Sequence, residues 1–113
     1  MHTIVLDGVA IAKNGNYTSK PIVIPGEHAH FALSWVITGD GTVKFECENS
    51  ADGITFVLDT SYDISTAQTK TTGPGSDGTN MASFSPRASE AIKIKCTEAD
   101  VNTVTVTAVL ITT

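Results

Sequence analysis

Ala29-His30-Phe31-Ala32-Leu33-Ser34-Trp35-Val36-Ile37-Thr38, then Gly39-Asp40-Gly41, then Thr42-Val43-Lys44-Phe45-Glu46-Cys47-Glu48 is a pair of alternating runs around a glycine-rich insert. A period of two places Ala29, Phe31, Leu33, Trp35 and Ile37 on one face of a strand. His28, His30, Ala32 and Ser34 take the other face, with Val36 the apolar exception. In the second run Val43, Phe45 and Cys47 oppose Lys44, Glu46 and Glu48. A further insert, Asp52-Gly53, is followed by Ile54, Phe56 and Leu58, which continue the alternation. Gly and Asp-Gly supply the positive backbone angles that tight reversals need, so residues 29–58 predict a three-strand antiparallel meander.

Outward from this stretch the pattern repeats. His2 to Lys13 is apolar but interrupted at Asp7-Gly8, which predicts a bent strand or two short ones. Gly15-Asn16 marks a turn. Ile22-Val23-Ile24 is closed by Pro25-Gly26, and Pro21 puts that run at a sheet edge or a strand start, because proline cannot donate to a ladder. Asp59 to Asn80 reads as a long irregular segment with Ile64 as its candidate anchor: Thr66 to Thr72 is nearly all small and polar, and Gly73-Pro74-Gly75-Ser76-Asp77-Gly78 cannot hold regular structure. Met81 to Phe84 is a strand fragment ended by Pro86. Glu90 to Thr97 and Thr103 to Ile111 are expected to form a last pair across Glu98-Ala99-Asp100-Val101-Asn102. The sum is an all-β chain of about eight strands, an antiparallel β-sandwich that is jelly-roll-like or immunoglobulin-like. At 113 residues it is expected to be one domain, 1–113.

The net charge of −5, with a single arginine (Arg87), excludes a phosphate-tracking surface, so no nucleic acid is expected as a partner. No stretch approaches the ~18 apolar residues of a membrane helix. The first residues lack a basic start and Asp7 breaks the apolar run, so no signal peptide is read and folding in a cytoplasm is expected. Cys47 and Cys96 fall on the apolar phases of their strands and are expected to be reduced core thiols. A disulfide between facing sheets is the alternative. In the immunoglobulin pattern a tryptophan lies between the two cysteines, whereas Trp35 precedes both.

Reactive constellations are missing. His28 and His30 point the same way on a strand, with His2 or Glu27 nearby, but metal sites need three or four matched ligands, and solvated histidines are the reading preferred. Asp40, Asp52 and Asp77 each neighbour glycine, as turns select, and none fits the spaced acidic pattern of a calcium loop. No Gly-x-Ser-x-Gly elbow occurs, the 73–78 glycine loop lacks the Gly-Lys-Ser/Thr ending of a phosphate cradle, and Asp59 with Asp63 reads as solvated loop. The expectation is a protein without enzyme activity, metal or cofactor.

Four residues stand out as candidate contact positions. Tyr17 and Tyr62 lie at loop or strand margins, where an aromatic ring can meet a glycan; Trp35, on the inward phase, is assigned to the core. Val109 and Ile111 make the final strand apolar on both phases around Leu110, which implies that its second face is covered. Either a neighbouring subunit or the chain's own apolar N-terminal segment (Ile4, Val5, Leu6, Val9, Ile11) can supply the cover.

Ile37-Thr38-Gly39-Asp40-Gly41-Thr42-Val43-Lys44-Phe45-Glu46 and Asn49-Ser50-Ala51-Asp52-Gly53-Ile54-Thr55-Phe56-Val57 resemble small all-β proteins encoded among bacteriophage and prophage structural genes, in which a strand runs into an S-x-D-G-x-x-F/W hairpin. Thr72 to Gly78 with Phe84-Ser85-Pro86, and the ending Ile92 to Glu98 with Val104 to Leu110, are similar too. The resemblance implies a virion-associated sandwich: a capsid decoration, head-fibre or tail accessory subunit, assembled in the host cytoplasm with other virion proteins. It implies a homo-oligomer, a trimer being one form, and transfers no catalytic residue. The alternative is a carbohydrate-binding module using the long loop and Tyr62.

Overall fold

Nine strands form in a computed structural model: β1 (His2–Ile11), β2 (Asn16–Thr18), β3 (Ile22–Val23), β4 (Phe31–Gly39), β5 (Thr42–Ser50), β6 (Val57–Thr69), β7 (Thr79–Phe84), β8 (Ala91–Glu98) and β9 (Val104–Thr112). The structure describes residues 2–23, 31–39, 41–69, 79–84, 90–98 and 102–112, and the backbone alone for 59–69 and 79–80. Sheet A has the order β1-β9-β4-β7; sheet B runs β2-β8-β5-β6, with β3 also on β8, and every pairing is antiparallel. The expected all-β sandwich is what forms.

Alternation positions the core. Phe31, Leu33, Trp35 and Ile37 of β4 and Val104, Val106, Ala108 and Leu110 of β9 face Val43, Phe45 and Cys47 of β5 and Ile92, Ile94 and Cys96 of β8, all at most 5% exposed. Each large apolar side chain so buried stabilises the fold by about 1.5–3 kcal/mol. Trp35 meets Phe45 across the layers at 4.8 Å between centroids, and Phe31 meets Phe84 at 5.6 Å.

The pairings differ from the meander. β4 and β5 lie in different sheets, so Gly39 to Gly41 carries the chain across the sandwich rather than through a hairpin. β8 and β9 are likewise not partners: β9 sits between β1 and β4. Turn residues mark where a strand ends, and both hairpins and crossovers use them. Residues 59–69, expected to be irregular, belong to β6, which reaches β5 through three register shifts that absorb its surplus length. Ile54, expected on the core face, is 83% exposed. The cause is Asp52, whose carboxylate accepts from the Ile54 and Thr55 N–H groups and the Ser50 hydroxyl and so holds 51–56 as a loop. The Thr55 N–H, then the Ile54 N–H, then the Ser50 hydroxyl hold its carboxyl below the ordinary value of 3.8.

β1 is the bent strand anticipated, with irregularities between Ile4 and Leu6 and between Leu6 and Val9 and a left-handed Gly8 (φ 59°). Pro21 does mark an edge: β2 and β3 are two pieces of one edge on β8. Ser19 repairs the break, since its N–H donates to the Ile94 carbonyl and its hydroxyl accepts the Ile94 N–H, both at 2.9 Å.

Cys47 and Cys96 are both buried. They share sheet B rather than facing each other across the sandwich, and the register Cys47↔Ile94, Phe45↔Cys96 sets them diagonally. Diagonal neighbours sit roughly 7–8 Å apart, beyond disulfide reach. Burial pushes the Cys96 thiol up to about 12, so almost no thiolate exists at neutral pH. Native protein incubated with iodoacetamide should therefore carry no adduct by mass spectrometry, whereas denatured protein carries two, and reductant should leave the melting temperature unchanged.

Candidate functional site

Val109 and Ile111 both point away from the core, half-buried, on the outer face of sheet A. Antiparallel register builds rows across that face. Ile4, Val109, Ser34 and Met81 form one row, and His2, Ile111, Ala32 and Ser83 the next. Val36 lies beside Thr107 one step further along. Three of these apolar side chains are well exposed: Ile4 at 59%, Met81 at 56% and Val36 at 46%. The outward positions of the two central strands, Ala32, Ser34, Val36, Thr38 and Thr105, Thr107, Val109, Ile111, carry no formal charge. The N-terminal segment does not cover this face. It lies beside β9 as a ladder neighbour, because the bulged β1 uses its backbone on β9 and its Leu6, Val9 and Ile11 on the core.

Sheet B presents the opposite character. Lys44, Glu46 and Glu48 of β5 face outward next to Lys93 and Lys95 of β8, in the register Glu46↔Lys95 and Glu48↔Lys93. Lys44 Nζ lies 3.7 Å from a Glu46 carboxylate oxygen, and Lys93 Nζ 4.2 Å from the centre of the Phe56 ring. Opposite charges paired across strands suit a solvated face. The two sides of the sandwich are thus chemically unlike.

The structure separates the two tyrosines. Tyr17 is the centre of β2, half-buried against the core, at one edge of sheet B; Tyr62 belongs to β6 at the other edge, with β8 and β5 between them. The side chain of Tyr62 lies outside the described residues, as do His28, His30, Glu27, Asp40, Asp77 and the 70–78 part of the long loop. Tyr17 lines a cleft of ≈ 430 Å³ between the open edges β1 and β2–β3, with Ile4, Val5, Val9, Pro21 and Ile22 as its apolar wall and Asp7 and Lys20 as its charged groups. Among the described residues no group of three His, Cys, Asp or Glu is placed to hold a metal.

One important residue was not anticipated. Glu98 is 1% exposed at one end of the sandwich. Its carboxylate oxygens accept from the Asn14 and Thr42 N–H groups, each at 3.2 Å, and its own N–H donates to the Gly15 carbonyl at 2.9 Å. A Cβ on the adjacent Gly41 would press on the Val104 side chain, on the Asn102 carbonyl at 2.7 Å and on Glu98 Oε2 at 3.0 Å. Two chain segments, the turn after β1 and the start of β5, are thereby tied to one carboxylate on β8. Extending the inward phase Ile92, Ile94, Cys96 by two residues reaches Glu98, and that was the available signal.

No protein-family model and no curated protein matches the chain. Solved structures do. The chain is similar to the infectious bursal disease virus VP2 subviral particle (TM-score 0.63, 9% identity, 97% of this chain and 31% of that one). It is similar to the PBSX exported protein XepA (TM-score 0.63, 10% identity, 99% and 36%). It is also similar to the enzymatically active domain of tailspike protein 4 of Bacteriophage CBA120 (TM-score 0.58, 11% identity, 99% and 19%). The likeness is one of fold. The chain spans about a third or less of each of these three proteins.

Proposed function

We propose that this chain is a non-enzymatic structural subunit of a bacteriophage virion, a surface or accessory component of the capsid-decoration, head-fibre or tail type, which works by protein–protein assembly. It is made and assembled in the host cytoplasm and resides in the particle. The observation that carries this reading is the contrast between the faces: opposite charges in register on the outside of β5 and β8, against uncharged outward positions on β4 and β9, which include Val36, Val109 and Ile111 and are flanked by the exposed Ile4 and Met81. Ile4, Val36 and Met81 are exposed together on this face, as a docking surface needs, while Val23, Ile54 and Val57 are exposed singly on β3, the β5–β6 loop and β6. The alanine, serine, threonine, valine and isoleucine at the outward positions of β4 and β9 have no group that titrates near neutrality, so that face suits contact rather than proton transfer.

The strand order adds support for a jelly roll. With β2 and β3 counted as one interrupted strand, eight strands fall into two four-stranded sheets, and of the strands that follow one another only β5 and β6 pair. Capsid and tailspike proteins among the fold's neighbours fit the same reading. Mass spectrometry of gradient-purified particles is the test. The chain should appear there in a fixed ratio to the major capsid protein; recovery only from the soluble lysate would refute the proposal.

A second reading, a glycan-binding module, draws on the cleft. A saccharide needs an aromatic wall and polar groups at its rim, and Tyr17 with Asp7 and Lys20 supplies both. A glycan array should then give hits that vanish in Tyr17→Ala, and an array without hits removes this reading.

A further inference from the structure

We infer that the outer face of sheet A is the contact surface between copies of this chain, the partner that covers Val109 and Ile111 being a second copy packed face to face. This rests on the assembly reading above and names its partner.

Edge pairing is the competing route to a β-oligomer, and all four edges are built against it. β1 departs from register twice and contains the left-handed Gly8. The β2–β3 edge is cut at Ser19 to Pro21. β6 departs from register three times, and β7 has only six residues. Bulges, prolines and short strands are the devices by which sheets deny an incoming strand a straight ladder. Copies are left to meet through faces.

Between the two faces, electrostatics decides. Each copy carries a net charge of −5, so copies repel at long range. Burying sheet B would strip water from Lys44, Glu46, Glu48, Lys93 and Lys95 at once, a desolvation penalty of several kcal/mol per ion before any compensation. The outward positions of β4 and β9 require no such loss. A charged partner laid on that neutral face would lose its hydration without gaining a counter-charge, whereas a second copy brings an equally neutral, equally apolar surface. Its size is adequate as well. Four strands at about 4.8 Å spacing and nine residues at about 3.3 Å rise give roughly 550 Å² per copy and about 1,100 Å² for the pair, against the ~1,000 Å² that a specific interface needs. Such a pairing extends the sandwich by one more sheet-on-sheet contact.

Analytical ultracentrifugation across micromolar to millimolar concentrations tests this. The wild type should sediment as a multiple of 11.8 kDa. Val109→Lys and Val36→Lys should each weaken association at least tenfold, while Lys95→Gln on sheet B leaves it unchanged. Circular dichroism melts confirm that each variant is folded, and Val36, at 46% exposure, tolerates lysine even if Val109 does not. A wild type of 11.8 kDa at every concentration, or an oligomer indifferent to both lysines, overturns the inference. Neither result bears on whether the chain is found in particles, which the particle mass spectrometry reads separately.

Discussion

Glu98→Ala should lower the unfolding free energy by about 3 kcal/mol, because it removes charge-assisted hydrogen bonds worth about 1.5–3 kcal/mol each, offset in part by no longer burying a carboxylate. The donors are the N–H groups of Asn14 and Thr42, which lie in separate segments and have Glu98 as their common acceptor. For a chain of this length that corresponds to a melting temperature lower by roughly 12 °C. Glu98→Gln, which keeps the shape and one carbonyl oxygen but turns an NH₂ towards one of the two N–H groups, should fall between wild type and alanine. Urea titration at neutral pH measures all three. An alanine variant as stable as wild type would show that the carboxylate ties nothing together.

Gly41 belongs to the same arrangement, and its coupling to Glu98 sharpens the argument. Gly41→Ala inserts a methyl group against Val104, Asn102 and Glu98, and overpacking of this kind costs about 1–3 kcal/mol. Removing the carboxylate takes away one of the three groups that the methyl strikes. The double variant should therefore lose less than the sum of the single losses, by about 0.5 kcal/mol or more, as residues in contact do. Strict additivity would mean that the two act through different parts of the loop.

The layer structure was legible in the sequence because alternation is a local property. Phe31 to Ile37 and Val43 to Cys47 lie inward as their phases require, and Val36, Val109 and Ile111, apolar where polarity was due, mark the unusual face. Pairing is not local. Gly39 to Gly41 announces a reversal but not whether the next strand lies beside β4 or across the sandwich from it, so half of the expected meander was wrong. The same limit hid the full patch, since Ile4 and Met81 join Val109 only through the order β1-β9-β4-β7. β6 went unread for another reason. Leu58, Tyr62 and Ile64 alternate with Asp59, Ser61 and Asp63, but the polar residues after them drew the boundary too early. Glu98, expected in the connector 98–102, instead ends β8, and at this position backbone N–H groups replace water around its carboxylate.

Trp35→Ala should destabilise the protein by about 4 kcal/mol, the usual cost of emptying a large aromatic site in a packed core. Trp35 is 1% exposed and joins the layers by its ring contact with Phe45, so its loss opens a cavity between β4 and β5 that neither sheet can close without moving its neighbours. The informative comparison is Trp35→Phe. The indole Nε1 is buried and has no hydrogen-bond partner among the described residues, so the indole ring contributes through packing. Phenylalanine retains much of that packing and removes the N–H, whose burial without a partner is itself unfavourable by about 1–3 kcal/mol. The two effects oppose, and urea titration should show a net loss in unfolding free energy of about 1 kcal/mol or less. Should Trp35→Phe cost as much as Trp35→Ala, the N–H would have to be held by a strong acceptor, and the core of this sandwich would depend on a polar contact rather than on the shape of its aromatic pair.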